Sequence, residues 1–237
     1  MKMAGWRSFA IYGCVLALCQ PLAACGPAEK AAPSTNDGAA STKAATIPSD
    51  APLVIAFGDS LYAGYQLGPK EGLAPQLQAA LAADGTVARV QNAGVSGDTT
   101  AAGRQRLAFV LDNARTKPAV LLLGLGGNDM LRGIDAAQTR ANLDAMLAEL
   151  HKRGIPVVLT GMVAAPNLGA DYAAKFNPIF PELAAKYGAS LYPFILDNVV
   201  TDKALMLGDN IHPNAQGVKI IAEALAPLVE EQLPGVG

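Results

Sequence analysis

Short, wholly apolar runs recur along residues 52–237, and segments with helical periodicity separate them. Apolar runs without polar alternation are typical of strands that are buried on both faces of a parallel sheet. The runs predict five strands, at Leu53–Phe57, Val87–Val90, Ala119–Leu123, Pro156–Thr160 and Ala189–Phe194.

Between the predicted strands, apolar residues repeat every three or four positions, as they do on one face of an α-helix. The clearest stripe starts with Asp135 as its N-cap residue and ends at Gly154. Such stripes predict helices at residues 73–81, 107–114, 136–153, 172–187 and 214–233. Alternating strands and helices predict a parallel sheet that is covered on both faces, with its ligand site at the carboxyl ends of the strands.

Residues 1–25 have the pattern of a bacterial lipoprotein signal peptide. A basic start precedes an apolar run over residues 8–19, which is shorter than the roughly 20 residues of a membrane span. The sequence Leu22-Ala23-Ala24-Cys25 resembles the lipobox, whose cysteine is acylated and becomes the mature N-terminus. We therefore expect lipidation at Cys25. An ordinary secretory signal with an incidental cysteine is the alternative.

Residues 26–51 are rich in Ala, Pro, Ser and Thr and lack apolar periodicity, which predicts a disordered tether ahead of a domain at 52–237. A flexible chain of this length has an r.m.s. span of about 28 Å. We expect an exported protein that is lipid-anchored on the periplasmic face of the cell envelope. Gly26, directly after Cys25, favours the outer membrane.

The composition excludes several classes of protein. The chain has 20 acidic and 18 basic residues, for a formal net charge of −2, which does not suit a nucleic-acid binder. No cysteine follows Cys25, so the predicted domain has no disulfide, thiol nucleophile or Cys-ligated zinc. The two histidines, His151 and His212, lie far apart in the sequence, which argues against a His-based metal site.

Four clusters of glycine and small polar residues follow the predicted strands or precede the last helix. Glycine lets a backbone approach a ligand, so four clusters at one predicted edge indicate a site. The clusters are Gly58–Leu61, Asn92–Gly97, Gly124–Asp129 and Gly208–Pro213. The first lacks the row of hydroxyl residues of a phosphate cradle, which argues against a flavin-binding flavodoxin.

These clusters contain the residue types that an activated serine nucleophile requires. Ser60 stands directly after a buried strand, where a nucleophile is held rigidly. Asp209 precedes His212 by three residues, a spacing that lets its carboxylate bind Nδ1 and leaves Nε2 free for the serine. The N–H groups of Ser60 and Gly94 and the amide of Asn128 are candidate oxyanion donors. Gly94 could instead be only a backbone necessity.

The ordered blocks Gly58-Asp59-Ser60-Leu61, Gly94, Gly126-Gly127-Asn128-Asp129 and Asp209-Asn210-Ile211-His212 resemble those of the GDSL, or SGNH, hydrolases. The similarity covers most of residues 53–233 and is closest to the bacterial multifunctional esterase, thioesterase I and lysophospholipase L1 group. It implies a flavodoxin-like three-layer α/β/α sandwich with five parallel strands. It also implies Ser60 as nucleophile, His212 as base, Asp209 as its orienter, and Gly94 and Asn128 in the oxyanion hole.

The predicted activity is hydrolysis of carboxylic esters, with thioesters also possible, through an acyl-enzyme that requires no metal or organic cofactor. We expect a monomer that acts on small, lipid-derived acyl esters. Leu131 and the segment Met162–Leu168 are the candidates for acyl binding, with Met162 and Leu168 at its ends. Met130 stands where related sequences often have a small residue, which bears on the pocket width. The alternatives are a carbohydrate O-acetyl esterase and a non-catalytic binding lipoprotein.

Overall fold

The computed structural model describes residues 47–235. The strands are β1 (Leu53–Gly58), β2 (Arg89–Gly94), β3 (Val120–Gly124), β4 (Val157–Thr160) and β5 (Ser190–Tyr192). The helices are α1 (Ser60–Ala63), α2 (Leu73–Ala83), α3 (Thr100–Asp112), α4 (Gly127–Leu131), α5 (Ala136–Lys152), α6 (Ala170–Phe176), α7 (Ile179–Tyr187) and α8 (Ala215–Glu230). Short 3₁₀ turns lie at Pro166–Leu168 and Lys203–Leu205.

The five strands form one parallel sheet in the order β2-β1-β3-β4-β5. Alternate residues of β1 face opposite layers: Val54 and Ala56 pack with α2 and α8, whereas Ile55 and Phe57 pack with α3, α5 and α7. The three central strands are buried along their whole length, which explains their purely apolar sequences. The predicted α/β sandwich with five parallel strands is confirmed.

The single helix predicted over residues 172–187 is wrong, because the chain forms α6 and α7 with a break at Asn177 and Pro178. Proline has no N–H for the helical ladder and its ring clashes with the preceding turn. The freed Asn177 side chain accepts a hydrogen bond from the Ala164 N–H at 2.8 Å. The break therefore ties these helices to the loop that follows β4.

The second strand lies later in the chain than the predicted Val87–Val90, so Asn92, Ala93 and Gly94 are part of β2. As an edge strand, β2 leaves one row of backbone groups without a neighbouring strand. Side chains cover two of its outward N–H groups: Gln78 Oε1 accepts from Val90 at 3.0 Å, and Asn92 Oδ1 accepts from Gly94 at 2.8 Å. At these two positions, the outer edge of β2 is therefore not free to pair with a further strand.

The predicted signal peptide, Cys25 and residues 26–46 of the predicted tether lie outside the described residues. At the predicted boundary, Ala51 is buried and its carbonyl accepts from Arg89 Nε at 3.1 Å. Ordered contacts therefore begin before residue 52. Within residues 47–235, every helix is too short or too polar to cross a bilayer.

Candidate active site

Ser60 is the first residue of α1, directly after the carboxyl end of β1. The helix rests on three glycines in register at the ends of neighbouring strands, Gly58, Gly94 and Gly124. A Cβ on any of them would lie within about 2.7 Å of Tyr62 atoms, so only glycine admits this helix. The strand-end glycines therefore place Ser60 at the edge of the sheet.

A tight loop after the second 3₁₀ turn presents His212. Its ends are paired, since the Leu207 N–H donates to the His212 carbonyl at 2.7 Å. Asp209 organises the loop, because Oδ1 accepts from the N–H groups of Ile211 at 2.9 Å and His212 at 3.0 Å. Asn210 adopts a left-handed conformation, with φ of 56°, to complete the turn.

Ser60, His212 and Asp209 form a continuous hydrogen-bonded chain. Ser60 Oγ lies 2.8 Å from His212 Nε2, and His212 Nδ1 lies 2.6 Å from Asp209 Oδ2. The ring of Tyr65, in the turn after α1, packs against the imidazole with a distance of 4.4 Å between ring centroids. The structure thus brings Ser60 to His212 and Asp209, although 152 positions separate Ser60 from His212 in the sequence.

The carboxylate of Asp209 is held in its ionised form. Partial desolvation raises the pKa of this group, but the backbone N–H groups of His212 and Ile211 and the imidazole outweigh it. The result is a pKa of about 2. Asp209 therefore stays negative at neutral pH and can stabilise an imidazolium on His212.

Asn128 lies in α4, at the end of the third strand. Gly126, with φ of 116°, makes the turn from β3 into this helix. Asp129, 1% exposed, anchors the helix because its carboxylate accepts from Thr100 N, Thr100 Oγ1 and Thr139 Oγ1. These contacts give Asp129 a structural role, and Asn128 is left half-buried at the pocket.

Asp59 is a buried acid between Ser60 and Asn128, with 3% exposure. Its Oδ1 accepts from the Leu61 N–H at 3.1 Å, and its Oδ2 accepts from Asn128 Nδ2 at 3.4 Å. Burial raises the pKa of Asp59 to about 6 despite these bonds and the proximity of His212. Local sequence does not show that the Asp59 carboxyl faces the pocket.

The oxyanion role predicted for Gly94 disagrees with the structure. Successive N–H groups of a strand point to opposite edges. The N–H groups of Arg89 and Val95 point towards β1. The N–H of Gly94 therefore points to the outer edge, where it donates to Asn92 Oδ1. Gly94 is required because a Cβ would lie 2.3 Å from Ala63 N. The alternative interpretation, that the backbone at position 94 requires a glycine, accounts for this residue.

A pocket of about 600 Å³ opens beside Ser60, Asn128 and His212. Most of its lining is apolar and comes from α4, the loop after β4 and the segments before α8. Two of the residues predicted to bind the acyl group, Leu131 and Met162, line it. Leu168 does not: it lies at the end of the 3₁₀ turn and packs on the core, while Val163–Pro166 line the wall.

The described residues offer no group of three or more His, Cys, Asp or Glu side chains that could hold a metal ion. The other histidine, His151, is in the last turn of α5, where a cation complements the helix dipole, and its ring lies 6.1 Å from that of Tyr187. The reactive groups of the pocket are therefore Ser60, His212 and the donors around them.

Comparison with known proteins agrees with this geometry. The model of the GDSL-like Lipase/Acylhydrolase family matches residues 56–220, more than half of the chain. Esterase TesA of Pseudomonas aeruginosa is 36% identical over 183 residues, which cover 77% of this chain and 90% of that protein. Thioesterase 1/protease 1/lysophospholipase L1 of Escherichia coli K12 is 32% identical over 176 residues, covering 74% and 82%.

Among solved structures, the SGNH-hydrolase family esterase AlinE4 superposes with a TM-score of 0.67. It is 47% identical in sequence, and the match covers 79% of this chain and all of AlinE4. The chain belongs to the GDSL-like lipase/acylhydrolase family and is an ester hydrolase of small-molecule substrates.

Proposed function

We propose that this esterase works through an acyl-enzyme on Ser60, with His212 as general base and Asp209 as the group that orients His212. The observation that carries this proposal is the chain of contacts from Ser60 Oγ to His212 Nε2 to Asp209 Oδ2, at 2.8 and 2.6 Å. These contacts match the geometry in which a neutral imidazole accepts the proton of a serine hydroxyl.

Each half of the reaction moves one proton through His212. Ser60 Oγ bonds to the ester carbonyl carbon while its proton passes to Nε2, and the imidazolium then protonates the departing alcohol. The acyl group remains on Ser60. A water molecule next gives its proton to Nε2 and bonds to the acyl carbon, and His212 returns the proton to Ser60 as the acid leaves.

The tetrahedral intermediates of both halves need hydrogen-bond donors for their oxyanion. The Ser60 N–H and Asn128 Nδ2 are two of them, and we propose the Gly97 N–H in place of that of Gly94. Within residues 47–235, the Gly97 N–H has no hydrogen-bond partner, and the Gly97 carbonyl accepts from Arg132 at 2.8 Å. Arg132 directly follows α4, so this bond keeps the Gly97 turn beside Asn128.

The substrates that suit the pocket best are esters of a single acyl chain, including lysophospholipids. The apolar lining and the volume of about 600 Å³ exceed the needs of an acetyl group, which disfavours a carbohydrate O-acetyl esterase. A monomer tethered by lipid at Cys25 to the periplasmic face of the outer membrane would meet such lipids there. Acyl-CoA is a cytosolic compound, so we propose thioester cleavage as a secondary activity.

Labelling with a serine-directed fluorophosphonate tests the nucleophile. We expect the parent chain to label and Ser60→Ala to lose both labelling and hydrolysis of nitrophenyl esters. A Ser190→Ala variant is the matched control, since Ser190 is in β5 and outside the pocket lining. Labelling that survives Ser60→Ala would contradict Ser60 as the nucleophile, and a parent chain that never labels would favour a binding lipoprotein.

Release of fatty acid from lysophosphatidylcholine, measured beside acetate release from acetylated sugars, tests the substrate class. We expect the lysophospholipid to be the better substrate by kcat/KM. A preference for acetylated sugars would overturn the assignment of a lipid substrate while leaving the serine mechanism in place. Palmitate labelling of the expressed chain, compared with Cys25→Ser, tests the anchor separately.

A further inference from the structure

Met130 joins the oxyanion side of the site to the apolar wall of the pocket. It is the fourth residue of α4, two positions after Asn128, and its N–H donates to the Gly126 carbonyl at 3.0 Å. The side chain is 7% exposed and lines the pocket. Its Sδ accepts from the Ala165 N–H at 3.2 Å, across the space between α4 and the loop after β4.

The opposing wall is the segment Met162–Pro166, which lines the pocket along its length. Two side chains hold its backbone: Asn177 Oδ1 accepts from the Ala164 N–H, and Met130 Sδ accepts from the next N–H along. Met162 also approaches α4, since its Cε lies 3.2 Å from the place where a Cβ on Gly127 would stand. The width of the pocket between α4 and the wall is therefore set largely by methionine side chains.

We propose that Met130 is a specificity-determining residue that limits the length of acyl chain the pocket accepts. The inference rests on the proposed esterase function. Methionine is long and flexible and fills irregular gaps, and the bond to Ala165 holds its thioether in one place. An acyl chain that enters beside Asn128 meets this side chain, so shortening residue 130 gives the chain more room.

A series of p-nitrophenyl esters from acetyl to palmitoyl measures this limit. A methylene that fits or clashes in an apolar pocket changes kcat/KM by about 10-fold or more. We expect Met130→Ala to raise the ratio of dodecanoyl to butanoyl kcat/KM by about 10-fold over the parent. Met130→Val, a smaller truncation, is expected to change the ratio in the same direction and guards against misfolding of the alanine variant.

Two variants separate pocket filling from general loosening of the core. Met146→Ala makes the same truncation at a methionine that is 1% exposed in the same hydrophobic cluster, on α5 and outside the pocket lining. It is expected to lose stability and keep the parental ratio. Met130→Leu keeps the approximate volume but cannot accept from Ala165, and it is expected to keep the parental chain-length preference.

Active-site titration with fluorophosphonate reports the folded fraction of each variant. A parental ratio in both Met130→Ala and Met130→Val at full titration would overturn the proposal, as would the same shift in Met146→Ala or in Met130→Leu. Failure of the proposed function has a different signature, since the parent and Met146→Ala would then hydrolyse no ester of the series.

Discussion

Replacing Asp59 with asparagine should make the domain more stable and the enzyme slower. The carboxyl is 3% exposed, and burial raises its pKa to about 6 from an ordinary value of 3.8. At 1.36 kcal/mol for each pKa unit, its ionisation is disfavoured in the fold by about 3 kcal/mol. Asparagine keeps an oxygen for the Leu61 N–H and carries no charge, so we expect the free energy of unfolding to rise by about 1–3 kcal/mol at pH 8.

The effect has a defined dependence on pH. Because the folded pKa lies above the unfolded one, the native parent binds a proton between about pH 6 and pH 4 that the unfolded chain does not. The parent therefore recovers stability as the pH falls through this window, and carries the full cost of the charge above it. The advantage of Asp59→Asn is expected to be largest at pH 8 and to vanish near pH 4.

Thermal unfolding at several pH values, followed by circular dichroism, measures this difference. For a domain of this size, each kcal/mol corresponds to about 2–4 °C, so a gain of 2 kcal/mol would raise Tm by about 4–8 °C at pH 8. Asp98→Asn is the matched control, because the Asp98 carboxylate pairs with Arg106 at 2.6 Å. It should lower Tm, since Arg106 loses its partner. An Asp59→Asn variant with a Tm at or below that of the parent at pH 8, or a pH-independent difference, would refute the reasoning.

The same variant should lose activity above about pH 6, where the Asp59 carboxyl of the parent is ionised. A carboxylate can only accept, so Asp59 requires Asn128 to turn its NH2 group towards it, whereas asparagine can accept or donate. Asn128 then has two orientations and offers its donor to the oxyanion for only part of the time. We expect kcat to fall by less than the 10²–10³-fold or so that follows complete loss of one donor.

Three further changes test the remaining parts of the site. Asp209→Asn should lower kcat by about 10⁴-fold with little change in the fold, because the amide no longer fixes the His212 tautomer; a loss below tenfold in steady-state assays would contradict the role of Asp209. Asn128→Ala should lower kcat by about 10²–10³-fold in steady-state hydrolysis of a nitrophenyl ester; equal kcat in both proteins would remove Asn128 from the oxyanion hole. Gly94→Ala should destabilise the fold by about 1–3 kcal/mol, measured by urea unfolding, because its Cβ overlaps Ala63 N; normal stability would contradict this packing role of Gly94.

Sequence patterns predicted the central part of the fold well and its periphery less well. The strands β1, β3 and β4 are buried on both faces, so their apolar runs leave little ambiguity. The edge strand β2 is half-exposed and contains Gln91 and Asn92, so its end was misplaced. The break between α6 and α7 had a visible signal in Pro178, but the apolar periodicity on both sides concealed it.

For the candidate site too, the sequence predicts some features and not others. Residue type and position predicted one shared site, because few side chains can supply a nucleophile, a base or an amide donor. The structure brings Ser60, His212 and Asp209 into one hydrogen-bonded chain and places Asn128 at the same pocket. Whether the Gly94 N–H points into the sheet or to its outer edge depends on which side of β2 the neighbouring strand occupies. Sequence spacing carries no such information.

Residue chemistry along the chain thus determined the class of fold and the choice of candidate reacting groups, since burial and nucleophilicity are properties of side-chain type. Only the tertiary structure decided which groups touch. It placed Asp59 against Asn128 in a buried environment, directed Leu168 to the core, and set Met130 across the pocket from Ala165. Those contacts join segments far apart in sequence, and packing between layers, not local pattern, brings them together.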